Sequence, residues 1–308
     1  MQVSPRSENQ TFSPVKDGTL ERIPWQSLSG REFYRRFRKP GRPVVLTGLL
    51  EAGERWDLEG LCAQLGHCAF SVRHSGPDHF KLPKHLWTSF GQWKMLTLNQ
   101  YAELLANRRA HKDNIVMAQV PLNGMAMGRD LAARIRELGS WFGLKKLLPQ
   151  MDLFLWLSPS GHREPLHFDE GDGTLLQLHG RKRITLFPPE QSRNLYPFPF
   201  FGAVEPWVSR IDPEQPDLAR FPKAARAMER GIQVEIGPGD LLYIPLMWWH
   251  EVKALGEDYV LSVSRLWKVK PRLRNFCTSR STIFYLKRKL PQKLLFKLYY
   301  GLKNRRGR

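Results

Sequence analysis

The chain has 308 residues, of which 42% are apolar and 11% aromatic, enough for one large packed domain with appendages. Its net charge of +19 is gathered at one end: residues 271–308 carry 12 Lys or Arg and no acid, leaving 36 bases against 29 acids in the first 270. This excludes a polyanion binder basic over its whole surface, and three scattered cysteines (Cys62, Cys68 and Cys277) exclude a disulfide framework and fit a reducing compartment.

Residues 1–20 are polar and rich in Ser and Pro. They read as a flexible leader with no apolar signal segment. No run of about 18 apolar residues occurs anywhere, so the expectation is an intracellular, soluble chain, cytoplasmic in the first instance. Residues 21–150 read as an N-terminal α/β region packing on the strands of the C-terminal half. Within it, Ile23 to Phe37 predicts a short strand entering a helix capped by Ser29. Pro43 to Gly48 has the β-branched run and glycine stop of a buried strand. Residues 57–66 and 97–108 space Leu and Ala as helices do, Asn114 to Val120 reads as a strand, and 129–147 as one or two helices.

From about 152 the texture changes to short strands between turn signals. Leu153–Leu157, Glu164–Phe168, Thr174–Leu178, Arg183–Phe187, Gln233–Ile236, Asp240–Ile244, His250–Ala254 and Tyr259–Leu266 are the expected strands, cornered at Pro188-Pro189, Gly237-Pro238-Gly239 and Gly256-Glu257-Asp258. The fold class predicted is mainly β with flanking helices: a jelly roll or cupin barrel over 151–268. Residues 190–230, rich in proline and aromatics, read as a long insertion, either a peptide groove (Tyr196, Phe198, Phe200, Phe201, Trp207) or a packed lid.

His167-Phe168-Asp169 places a His and an Asp on one face of a strand, because strand side chains alternate with period two. His250 follows Asp169 by 81 residues, at the end of a Gly-Pro-Gly-Asp-Leu-Leu-Tyr-Ile-Pro run. Two imidazoles and a carboxylate form a facial set with open positions, suited to Fe(II), Mn(II) or Ni(II). His162, in a Ser-Gly-His-Arg turn, reads as exposed, and His179 as a strand-end residue. Trp249 and Trp267 read either as walls of the site or as core.

Lys182 alternates in phase with Ile184 and Leu186 and is therefore expected inside the barrel, where an ammonium needs an anionic partner. Two partners are open at this point: Glu164, or the far carboxylate of a bound keto acid.

Leu166-His-Phe-Asp169, Gly180-Arg-Lys-Arg-Ile-Thr-Leu-Phe-Pro-Pro-Glu190, Leu195-Tyr-Pro197, Arg220-Phe-Pro222 and Gly237 through His250 closely resemble the JmjC and cupin-like 2-oxoglutarate oxygenases. The nearest resemblance is to the branch of the asparaginyl hydroxylase that inhibits the hypoxia-inducible factor. The likeness is dense from about 150 to 268 and thinner from 20 to 150. It implies a double-stranded β-helix, Fe(II) held by His167, Asp169 and His250, and Lys182, fifteen residues after His167, gripping 2-oxoglutarate. It further implies use of O2 and hydroxylation of a protein or peptide side chain. Two positions depart from the pattern: Glu164 stands where a Thr or Ser is usual, and Arg265 where the nearest relatives place an Asn. The expectation is a Glu164–Arg265 pair, with Arg265 offsetting the carboxylate at the cosubstrate site. Two competing classes are a non-catalytic metal-binding cupin that recognises a partner or anion, and a small-molecule oxygenase.

Residues 269–308 read as a basic helical tail. Ile283, Leu286, Leu290, Leu294 and Leu298 recur at helical spacing, interrupted by Pro291. Homodimerisation is the first reading, membrane-surface contact the second, and nucleic acid the least expected, since no nucleic-acid fold accompanies the tail.

Overall fold

Alternating burial along the strands builds two stacked sheets. The computed structural model describes residues 20–82, 87, 91–122, 126–146, 153–169, 171–199 and 207–269. Before the barrel come β1 (Arg22–Pro24), β2 (Val44–Thr47), β3 (Ala69–His74), β4 (Gln92–Thr97), β5 (Ile115–Pro121) and the two-residue β6 (Lys145–Lys146). The barrel strands are β7 (Phe154–Pro159), β8 (Arg163–Phe168), β9 (Asp172–His179), β10 (Arg181–Phe187), β11 (Ile232–Ile236), β12 (Leu241–Ile244), β13 (Trp249–Leu255) and β14 (Tyr259–Lys268). All eight strands expected after 152 are present.

The larger sheet runs β1-β2-β12-β9-β14-β7-β5-β3-β4, with β6 on β14, and the smaller runs β11-β10-β13-β8. From β7 onward the chain passes from one sheet to the other at nearly every connection, which makes a double-stranded β-helix. Period two decides what each sheet buries. Leu175, Leu242 and Ile244 turn into the barrel with Ile184, Leu186 and Trp248. Leu176, Leu178, Leu241 and Tyr243 turn outward into a second core with Phe33, Phe37, Leu131 and Ile135. The larger sheet is thus apolar on both faces, as a sheet covered by helices must be.

The flanking helices follow their sequence signals. Ser29 accepts from the Glu32 backbone N–H at the start of Gly30–Phe33, and Asp57 caps Leu58–Leu65 through Gly60 N–H. Thr97 and Gln100 form a reciprocal capping box for Leu98–Ala106, whose buried Tyr101 donates to the carbonyls of Ile115 and Leu157. Residues 129–147, read as one or two helices, fall largely in a single helix, Ala126–Trp141. Sequence reading missed β3 and β4, an antiparallel pair that extends the larger sheet beyond β5.

The β9–β10 turn requires its glycine. Gly180 has φ +69°, and a Cβ there would stand 2.8 Å from the Tyr259 carbonyl oxygen. His179, as expected, ends β9, and its ring stacks on Tyr259 at 4.4 Å. The described residues through Lys268 belong to one compact unit. The tail and the 1–19 leader lie outside the described residues, as do Phe200 and Phe201.

Candidate metal centre and cosubstrate cavity

β8 and β13 pair antiparallel with His167 directly opposite His250, and the ladder shifts register just after His250. Cross-strand neighbours share a face. The two rings accordingly meet with centroids 4.3 Å apart, and Asp169, immediately past the end of β8, joins them. Asp169 Oδ1 lies 3.9 Å from His167 Nε2 and Oδ2 lies 3.7 Å from His250 Nε2. One ligand atom from each residue falls within 4.8 Å of the others.

Each imidazole is oriented by its second nitrogen. His167 Nδ1–H donates to the Pro165 carbonyl at 2.7 Å and His250 Nδ1–H to the Trp248 carbonyl at 3.1 Å, which leaves both Nε2 lone pairs turned to the common point. Burial, with the neighbouring His167, pushes His250 down to about 4. The ring is therefore neutral at physiological pH, the form a metal needs. Two imidazoles and a carboxylate fit a divalent transition ion, and among the described residues this is the one cluster of its kind.

A cavity of about 250 Å³ opens beside the triad, bordered by Gln119, Trp156, Glu164, Thr174, Lys182 and Ser264 among others. Lys182 is inside the barrel, 5% exposed, as its strand phase predicted. Its Nζ donates to Ser262 Oγ at 2.6 Å and lies 6.0 Å from the centre of the Trp156 ring. Ser262 belongs to the larger sheet and Lys182 to the smaller, so the ammonium spans the interior. Burial lowers Lys182 to about 8, with Glu164 acting in the opposite sense.

Two expectations are corrected here. Glu164 is held by Arg73 at 2.5 Å and by His162 at 2.9 Å, and not by Arg265. Burial raises a carboxyl, but the Arg73 charge and the His162 hydrogen bond outweigh it and hold Glu164 below the usual carboxylate range. Arg265 borders the cavity, yet it shares the strand phase of Val263 and Trp267, which pack into the outer core, and its guanidinium lies 4.4 Å from the Trp267 ring centre. His162, read as exposed, is buried at 7% exposure, its ring spanning Glu164 and the Asn114 side-chain amide. The turn composition suggested surface; the partners come from β8 and from the residue just before β5.

Trp249 and Trp267 are core. Trp249 donates to Ser192 Oγ and meets Phe168 edge-on, and Trp267 donates to Thr174 Oγ1. The insertion after β10 packs along β8: Val208 bridges His167, and the Phe168 and Ser209 backbone N–H groups donate to Trp207 and Leu166 carbonyls. Phe198 and Val208 are buried against each other there.

Ser262, Ser264 and Arg73 were missed as candidates. The serines had a signal: polar residues at period two in an otherwise apolar strand. Arg73 had none, lying 91 residues from Glu164.

Known proteins resemble this chain in sequence. The family profile described as a cupin-like domain matches residues 30–272. JmjC domain-containing protein D of Dictyostelium discoideum is 37% identical over 113 residues, 35% of this chain and 24% of that protein. Lysine-specific demethylase 8 of Xenopus tropicalis is 36% identical over 112 residues, 36% of this chain and 24% of that protein. HSPB1-associated protein 1 of Rattus norvegicus is 39% identical over 102 residues, 33% and 21% of the two chains. The matched segment therefore spans about a quarter of each relative.

Proposed function

The chain belongs to the cupin-like domain family, and on that premise we propose that it is an Fe(II)- and 2-oxoglutarate-dependent dioxygenase that hydroxylates a protein or peptide side chain. The observation that carries this reading is the joining of His167, Asp169 and His250 to a buried lysine within one cavity. Bound Fe(II), 2-oxoglutarate and O2 together supply the oxidising chemistry, one oxygen atom entering a substrate C–H bond and the other the succinate left after loss of CO2.

The protein's own residues do the positioning. His167, Asp169 and His250 hold the ion on one side, and Lys182 offers its ammonium to the far carboxylate of the keto acid. Arg265 borders the cavity across the ladder from Thr174, with its guanidinium over the Trp267 ring, and takes no part in this assignment. The β10–β11 insertion, seated on β8 beside His167, borders the side from which a peptide would approach.

The motifs around His167 and His250 favour the asparaginyl-hydroxylase branch. One relative carries the name of a lysine-specific demethylase, and hydroxylation of an N-methyl group, followed by C–N cleavage of the hydroxymethyl amine with release of formaldehyde, would produce that outcome from the same centre. Oxygen-dependent release of succinate from 2-oxoglutarate, lost in His167→Ala, tests the proposal. Its absence in iron-loaded protein would leave a metal-binding cupin without catalysis. Mass spectrometry of candidate peptides then separates a gain of oxygen from loss of a methyl group, and small molecules from peptides.

We further propose that residues 269–308 mediate homodimerisation, with contact to an anionic membrane surface as the competing role. Light scattering on a chain ending near 269 decides, since an unchanged mass removes the dimer. No helix among the described residues is long and apolar enough to cross a membrane.

A further inference from the structure

Glu164 borders the same cavity as Lys182, in the space where a dicarboxylate would place its far end. A buried carboxylate there repels an incoming one. Behind the wall stands a second cation: Arg73 of β3 reaches Glu164 Oε1 at 2.5 Å, and His162 Nε2–H donates to the same oxygen at 2.9 Å. Arg73 and Glu164 each have 16% of their side chain exposed, so solvent screens the pair little. Among Arg73, Glu164 and Lys182 the charges sum to one positive unit, which matches one carboxylate. Without Arg73 they sum to zero.

Resting on the cosubstrate reading above, we infer that Arg73 is a positioning residue for 2-oxoglutarate: it neutralises and fixes Glu164, so that the Lys182 end of the cavity presents a net single positive charge to the far carboxylate. Arg73 touches neither the metal ligands nor the space the keto acid occupies. It acts through Glu164. His162 supports it by donating to the same oxygen of Glu164.

The test uses Mn(II)-loaded full-length protein, which binds without turning over, and calorimetric titration with two ligands. One is 2-oxoglutarate. The other is 2-oxoglutaramate, whose far end is neutral. Arg73→Met is expected to raise the 2-oxoglutarate dissociation constant by at least about tenfold while changing that of 2-oxoglutaramate much less. Arg73→Met/Glu164→Met, which leaves neither charge buried alone, is expected to return 2-oxoglutarate binding close to wild type.

A merely structural role for Arg73 would weaken both ligands alike, and that result overturns the inference. So does unchanged 2-oxoglutarate binding, or a double variant as weak as the single. Should Arg73→Met fail to fold, Glu164→Gln carries the test: it keeps the hydrogen-bonding shape and removes the negative charge, so 2-oxoglutarate must tighten and 2-oxoglutaramate must not. Absence of tightening overturns the idea. Wild-type protein that binds metal but no 2-oxoglutarate removes the cosubstrate reading itself and this inference with it, an outcome distinct from all the others.

Discussion

Lys182 of the smaller sheet donates to Ser262 of the larger one across 2.6 Å, tying the two walls of the barrel together through a buried ammonium. Such a group is held at a cost, since burial disfavours the charged form and a hydroxyl is a weaker partner than a carboxylate. Lys182→Met should therefore leave the ligand-free protein as stable as wild type, or more stable by up to about 2 kcal/mol, while abolishing 2-oxoglutarate binding. Urea unfolding and calorimetry measure the two halves. A clear loss of stability would mean that the ammonium is structural.

The same lysine should leave a signature in pH. Its value falls from 10.5 in the unfolded chain to about 8 in the fold. Between these limits the unfolded state holds a proton that the native state has released, so the contribution of Lys182 to stability rises with pH from about 8 to 10.5. The difference in unfolding free energy between wild type and Lys182→Met should climb across that window and be flat below it. Affinity for 2-oxoglutarate, which needs the ammonium, should fall as pH passes above about 8.

At the proposed metal centre, His250 stays neutral until the pH approaches 4, because its ring is buried beside His167. In metal-free protein the imidazole resonances of His250 should titrate near that value rather than near 6.5. His250→Ala and Asp169→Ala should each reduce the iron retained after reconstitution from about one per chain to near none, by elemental analysis. Full iron content in either variant would place the ion elsewhere.

Gly180 offers a test of the fold alone. Any side chain at φ +69° is strained, and here it also meets the Tyr259 carbonyl. Gly180→Ala should destabilise by about 1–3 kcal/mol, read as a shift in the urea midpoint at unchanged slope.

What sequence disclosed and what it hid divide along a physical line. The barrel strands were legible because one face of each is buried, so that period two is imposed on residues such as Leu175 and Leu176. The triad was legible because His167 and Asp169 are two apart and His250 closes a distinctive run. The β3–β4 pair was not, because β4 turns Trp93 and Met95 outward at 60% and 63% exposure and carries no core-facing pattern. The partners of Glu164 were hidden for another reason. Burial of His162 and the reach of Arg73 depend on where β3 and β5 lie against the barrel, which no local pattern encodes.

The bridge from Arg73 to Glu164 joins the sheet extension to the barrel interior. A minimal barrel excised from about residue 151 would keep all three ligand residues and Lys182, and would look intact by every motif. It would nevertheless carry an unbalanced carboxylate facing its cavity. Grafting or trimming this scaffold therefore has to begin before β3, since the upstream segment sets the electrostatics of a chamber to which it contributes no ligand.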